Sequence, residues 1–221
     1  MKRILFILLF LQIFACAAFR QGIKEVPVAF TENPTNSEKE KLDKLGDKAI
    51  QTRELILKSE KIREVNAQKK TVNEKKIFLL AQEARFLAEL KNLQALQGKD
   101  VSDASHKMEE INTMSARETT YGNILEKNHL VMKKQEEFLK MELTRILAEI
   151  ELIKAQIAER NQKKSGVKPE DKEFVKVDEY KAYLNKTNED YFKIKTELEQ
   201  KTLEMETLQK QLDATGFKPG Y

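Results

Sequence analysis

The chain has 221 residues with 40 Lys and Arg against 36 Asp and Glu, and both signs are interspersed along its length. A nucleic-acid-binding protein concentrates its cations on one face, so this even mixture argues against that class. Charged residues make up 34% of the chain, there are only seven Gly and four Pro, and Trp is absent. This composition is typical of long helices and argues against a bulky globular core.

Residues 1–17 have the pattern of a secretory signal peptide. Two cations precede an apolar run at 4–14 that is too short to span a bilayer comfortably, and small residues follow it. An A-x-A motif ends at Ala17, so the pattern predicts cleavage between Ala17 and Ala18. The mature chain would then contain no cysteine and form no disulfide.

Cys16 supports a different interpretation of the same leader. Preceded by Ala15 in a lipobox-like stretch, it would be acylated and would anchor the protein at a membrane as an envelope lipoprotein. A leader that stays uncleaved is the third alternative. All three predict that the chain leaves the cytoplasm for the periplasm or cell envelope. We expect contact with a membrane only if Cys16 is acylated.

Residues 18–36 are predicted to form an extended arm. They contain Pro27 and Pro34 and show no helical period, and their apolar part is the segment 26–30. Such an arm either tethers the body to the leader or docks on a strand or groove of a partner.

A first long helix is predicted over 37–97. Ser37 and Glu40 fit a capping box, in which each side chain bonds the backbone N–H of the other residue. The first half of this helix carries apolar residues at helical spacing. They are Leu42, Leu45, Ala49 and Ile56.

The second half of this helix carries a strict seven-residue apolar repeat. The repeat consists of Val65, Val72, Leu79, Phe86 and Leu93. Such a repeat is typical of a coiled coil, in which it faces the partner helix. Residues 77–90 are apolar on more than one face, so we expect this part of the helix to be covered from two sides.

A second helix is predicted over 103–163, antiparallel to the first because the connecting loop is short. Gly98 fits a left-handed C-terminal cap, and Ser102 or Asp103 fits the next N-cap. The second half of this helix carries a continuous apolar seam that another helix must cover. The seam consists of Leu139, Leu143, Ile146, Ile150, Ile153 and Ile157.

Projected backwards along the second helix, this seam becomes polar, with Gly122, His129 and Glu136 at successive positions. Helix packing there must loosen, bend or meet a polar partner. We therefore expect a curve at residues 121–136 with Gly122 as its yielding point. Gly122, His129 and Glu136 become candidate contacts with another protein.

A third helix is predicted over 169–213, because Pro169 followed by two acids is typical of a first helical turn. Residues 214–221 form a C-terminal tail that either frays or docks, and its Phe217 and Tyr221 are further candidate contacts. The seam of the third helix is apolar at nine of eleven positions. The eleven positions are Val177, Tyr180, Leu184, Thr187, Tyr191, Ile194, Leu198, Lys201, Met205, Leu208 and Leu212, of which Thr187 and Lys201 are polar.

The three seams predict an all-α fold, an elongated antiparallel bundle or coiled coil of three long helices. The helical body would cover residues 37–213. Because the third helix is shorter than the others, we expect part of the hairpin of the first two to be bare. We place that part at 54–76 with 126–140, where the seams are poorest.

The sequence contains no arrangement of residues that indicates catalysis. His106 and His129 lie far apart on one predicted helix, and no cysteine cluster or H-E-x-x-H pair completes a metal site. No glycine-rich phosphate loop exists, and the many carboxylates lie on helical faces. We therefore predict no enzyme, no cofactor, no metal and no small-molecule substrate.

Two families of exported helical proteins are similar to this chain in organisation. The chain resembles the Skp-type periplasmic holdase chaperones, which trimerise through a small β-sheet body that this sequence lacks. It also resembles the spirochaete flagellar coiling proteins, which coat the periplasmic flagellar filament. That likeness lies in the leader at 1–19, the cysteine-free body and the helical plan over 37–213, and the size is that of the B-type.

The second resemblance implies a sheath component that influences filament curvature and motility. Its partners would be flagellar core or sheath proteins, or copies of itself. The alternatives are a chaperone for outer-membrane proteins and a helical envelope lipoprotein.

Overall fold

The computed structural model describes residues 25–216. It has three long α-helices, α1 (Asn36–Leu96), α2 (Ser102–Lys164) and α3 (Val177–Asp213), and a short 3-10 helix at Val28–Phe30. No strand occurs among the described residues. The predicted all-α helical bundle is confirmed.

The chain forms two compact units, each built from parts of all three long helices. Among the described residues, the first comprises 25–58 together with Glu136–Thr196, and the second comprises Ser59–Gln135 together with 197–216. The core of the first unit contains the predicted seam of α2, in which Leu143, Ile146 and Ile157 are almost completely buried. That seam prediction is confirmed.

The start of α1 lies close to the predicted position, but the capping box is formed by other residues. The Glu38 carboxylate accepts a hydrogen bond from the Thr35 N–H at 2.7 Å, and the Thr35 hydroxyl accepts one from the Glu38 N–H at 3.3 Å. The predicted pair of Ser37 and Glu40 is therefore wrong by two residues. Arg160 of α2 also bonds Glu38, at 2.5 Å, and this contact from outside the helix favours the earlier pair.

The loop between α1 and α2 follows the prediction closely. Gly98 has a positive φ of 65°, and the Lys99 N–H bonds the Gln94 carbonyl at 2.9 Å, as in a left-handed C-terminal cap. Asp100 accepts from the Ser102 N–H at 2.9 Å, so the acceptor at this helix start is Asp100 and neither of the two predicted residues. This bond holds the pKa of Asp100 below its ordinary value.

The third helix begins at Val177, eight residues after the predicted start at 169. The buried Gln162 side chain donates to the Glu173 carbonyl at 2.8 Å and accepts from the Val175 N–H at 2.8 Å. These bonds engage the backbone of 173–175 with α2, and Phe174 is buried there. The segment that the acids suggested as a first helical turn is therefore held in a non-helical conformation.

The described part of the N-terminal arm docks on the chain itself. The Val26 N–H donates to the buried Glu151 carboxylate at 3.0 Å, and Val26 packs against Ala155 and Tyr180. The Asn161 side chain donates to the carbonyl of Phe30 at 3.0 Å. These residues pack against helices of their own chain, and the two predicted roles of the arm, as a tether or as a segment that docks on a partner, stay predictions.

The expectation that 54–76 of α1 exposes apolar residues is confirmed, since Leu57, Val65 and Val72 are exposed there. Two other expectations about exposure are wrong. Residues 126–140 of α2 are not bare, because Tyr191 of α3 stacks near Phe138 with ring centroids 5.1 Å apart, and Glu197 pairs with Lys134 at 3.0 Å. The cluster of Leu80, Leu87 and Ile111 instead contains residues of α1 and α2 alone. Residues 77–90 are covered on one side only.

Candidate protein-contact surface

A line of apolar side chains runs exposed along α1 in the second unit. Between 50% and 64% of each member of the seven-residue repeat is open to solvent. Ile62 and Leu96 extend the line at its two ends and are also exposed. These seven residues are called the apolar stripe, and it consists of Ile62, Val65, Val72, Leu79, Phe86, Leu93 and Leu96.

The buried register of α1 lies one residue further along the chain, about 100° around the helix. It too repeats every seven residues, but four of its six members are polar. They are Thr52, Ser59, Asn66, Asn73, Leu80 and Leu87. The structure therefore buries the polar repeat and leaves the apolar repeat uncovered, which is the reverse of the sequence prediction.

Two asparagines make this polar register possible, because α2 bonds both the oxygen and the nitrogen of the Asn66 side chain and the nitrogen of the Asn73 side chain. Asn66 donates to the Leu125 carbonyl at 3.0 Å and accepts from the Asn128 side chain at 3.1 Å. Asn73 donates to the Glu118 carbonyl at 3.2 Å and to its carboxylate at 2.8 Å. Buried polar residues at seam positions fix the register of helix pairs, and these bonds fix α1 against α2.

Charged pairs lie next to the asparagines, one between Asn66 and Asn73 and one after Asn73. Lys76 bonds Glu118, and Lys70 bonds Glu126. The hydrogen bond from Lys70 lowers the pKa of Glu126, and the bond to Glu126 raises the pKa of Lys70. The Lys70–Glu126 pair therefore favours the charged form of both its groups at neutral pH. Both pairs join α1 to α2 in the register that the asparagines specify.

Gly122 of α2 faces the Asn73 side chain of α1. A Cβ atom on Gly122 would lie 2.7 Å from the Asn73 Oδ1, which has no hydrogen-bond donor in the part of the chain that the structure describes. α2 continues without interruption from Ser102 to Lys164. Gly122 is therefore a contact position between two helices, and the helix is not broken at this residue.

The other candidates on this face of α2 are also engaged within the chain. Glu136 is buried and bonds Lys140, and His129 is half-buried. Gly122, His129 and Glu136 share a helix face, but none of them is exposed. A contact of these residues with another protein stays a prediction.

The remaining predicted sites lie outside the described residues. They are Cys16, Ala17, Ala18, Phe217 and Tyr221.

Within residues 25–216, no group of three or more His, Cys, Asp or Glu side chains is arranged to hold a metal ion. None of the described helices is long and apolar enough to cross a membrane. Comparison with protein-family models, curated proteins and solved structures finds no match to this chain.

Proposed function

We propose that this chain is a non-enzymatic, exported structural protein that acts by binding other proteins along its helices. The observation that carries this proposal is the apolar stripe, in which seven exposed apolar side chains lie at regular spacing along one helix. Exposed apolar surface of this kind marks sites of protein contact. Its seven-residue repeat is the pattern that a partner helix covers.

The specific setting we propose is the sheath of a periplasmic flagellar filament. The leader and the cysteine-free body are consistent with export, and the resemblance in organisation to flagellar coiling proteins supports the location. A sheath subunit must contact neighbouring subunits, and a helix with an exposed apolar line supplies one such contact.

Isolation of intact periplasmic flagella from the source cells, followed by mass spectrometry, tests this setting. We expect the chain to co-purify with the filaments and to be depleted when Leu79→Lys and Phe86→Lys are introduced together. The matched control is Leu203→Lys on α3, where a leucine of similar exposure lies off the stripe. Absence of the unaltered chain from intact filaments would reject the sheath.

A holdase chaperone is the second candidate, because an exposed apolar surface also suits binding to unfolded outer-membrane proteins. It predicts that the purified chain suppresses aggregation of an unfolded β-barrel protein at stoichiometric ratio. Suppression of this kind, together with absence from filaments, would favour the chaperone.

The lipoprotein alternative depends on Cys16 alone. Labelling of the cells with radioactive palmitate, compared with a Cys16→Ser variant, decides it.

A further inference from the structure

The apolar stripe has an approximate symmetry about its central residue, Leu79. Val72 and Phe86 lie seven residues before and after it, and Val65 and Leu93 lie fourteen residues before and after it. Ile62 and Leu96 complete the series at seventeen residues. When two identical helices pair antiparallel about Leu79, residues equally far from it on either side come to the same height. Every apolar residue of the stripe then meets an apolar residue of the other helix.

The charged residues beside the stripe change sign at Leu79. The flanking positions are those three or four residues away from each member of the repeat, and they border a partner helix. Before Leu79 they include four lysines and no acid, and after it they include two glutamates and no cation. The charged flanking residues are Lys61, Lys69, Lys75 and Lys76 before Leu79, and Glu83 and Glu89 after it. Of these, Lys76 also bonds Glu118 of α2, and Glu89 also bonds Arg85 on its own helix.

This division selects one orientation of pairing. In an antiparallel pair, the cationic half of each helix lies against the anionic half of the other, and Lys75 comes to the height of Glu83. In a parallel pair, lysine would face lysine and glutamate would face glutamate. Opposite charges at the edges of a helix pair set partner choice and orientation.

We propose that a second copy of this chain covers the apolar stripe, with the two α1 helices antiparallel and related by a twofold axis at Leu79. The inference rests on the proposed function only in taking the stripe to be a contact surface. The same patch serves both copies, as in a closed twofold dimer.

The size of the surface suits such a dimer. The stripe residues are between 46% and 85% exposed. Covering them would remove about 700 Å² from each copy, on the order of 1,400 Å² in all, which lies within the range of specific protein interfaces. The register that binds α2 lies about 100° around α1 from the stripe, so α2 leaves this face open.

Cysteine cross-linking of the chain that begins at Ala18 tests the geometry directly, because that chain has no other cysteine. Leu79→Cys should oxidise to a disulfide-linked dimer by itself. Val65→Cys and Leu93→Cys should each cross-link poorly alone but should form a mixed dimer when the two variants are combined. Self-linking of Val65→Cys without the mixed dimer would indicate a parallel pair and overturn the proposal.

Sedimentation equilibrium tests the surface and its charges. We expect a dimer for the unaltered chain, a loss of dimer for Leu79→Lys with an unchanged helical circular dichroism spectrum, and no loss for Leu203→Lys. Lys75→Glu and Glu83→Lys should each weaken the dimer by roughly tenfold, as two exposed ion pairs are lost, and their combination should restore it. A monomer at about 100 μM, or a dimer that Leu79→Lys does not affect, rejects the second copy.

The two proposals fail separately. A chain that is monomeric in solution but co-purifies with filaments keeps the sheath and rejects the dimer. A dimer that is absent from filaments keeps the second copy and rejects the sheath.

Discussion

Gly122→Ala tests whether this glycine is required by the approach of α1. Alanine is about 0.8–1.0 kcal/mol more favourable than glycine inside a helix, so propensity alone predicts stabilisation. The new Cβ, however, would lie 2.7 Å from the Asn73 Oδ1. Asn73 cannot move away freely, because it is buried and donates twice to Glu118.

The expected outcome is a net loss of stability. Overpacking costs about 1–3 kcal/mol, and a displaced Asn73 would lose buried hydrogen bonds of similar value. After the gain in propensity, we expect the free energy of unfolding to fall by roughly 1–2 kcal/mol. Gly46→Ala in α1 is the matched control, since its Cβ would meet nothing within 4 Å, and it should stabilise the protein by about 0.5–1 kcal/mol.

Urea unfolding followed by circular dichroism measures these changes at one protein concentration. In an Asn73→Ala background, Gly122→Ala should become neutral or stabilising, because the obstructing oxygen is gone. The interaction energy between the two sites should then be about 1–3 kcal/mol. If Gly122→Ala stabilises the unaltered protein as much as Gly46→Ala does, the close approach is absent and the reasoning fails.

Three further predictions concern the buried seam of α2, the ion pair of Glu38 and the continuity of α2. Ile146→Ala should lower the free energy of unfolding by about 2–5 kcal/mol, because Ile146 is fully buried. Ile50→Ala, at an exposed position, should change it by less than about 1 kcal/mol. Urea unfolding of both variants measures these changes. Burial raises the pKa of Glu38, but its bonds with Arg160 and Thr35 outweigh burial and lower the pKa below its ordinary 4.5. The stability from this carboxylate is thus present above pH 4.5 and lost as pH falls through the lowered pKa. The difference in the free energy of unfolding between wild type and Glu38→Gln should therefore disappear in acid. A difference that does not depend on pH would contradict this. Gly122→Pro should cost about 3 kcal/mol or more in the same unfolding assay, because α2 is continuous there, and a cost under 1 kcal/mol would indicate a broken helix.

The seam of α3 could be predicted from the periodicity of its apolar residues alone. Every predicted seam position from Val177 to Leu212 is buried or half-buried. This holds even for Thr187, which is buried, and for Lys201, which is half-buried. Here the apolar period and the buried face coincide, so periodicity alone identifies the contact.

The same rule fails on α1 because it counts apolar residues and takes no account of how a partner satisfies polar ones. Asn66 and Asn73 are poor seam residues in isolation. They become acceptable only because Leu125, Asn128 and Glu118 of α2 supply matching groups. That information lies more than forty residues away in the chain, so no local pattern in α1 contains it.

The predicted starts of α1 and α3 are wrong for a similar reason. Thr35 with Glu38 and Ser37 with Glu40 are equivalent as local capping boxes, and the contact from Arg160 favours the first. Likewise, the acids after Pro169 suit a helix start, but the Gln162 side chain holds residues 173–175 in another conformation. In both places a distant side chain decides between two locally acceptable structures.

The two repeats of α1 have different physical roles. A polar register is costly to bury unless its hydrogen bonds are met, so it accepts one partner in one alignment, and α2 is that partner. An apolar register is favourable against any apolar surface and does not by itself specify a partner. The charges that flank the apolar stripe supply that specificity, because their division at Leu79 disfavours a parallel copy. Intramolecular pairing is therefore specified by asparagine hydrogen bonds, and we infer that intermolecular pairing is specified by charge.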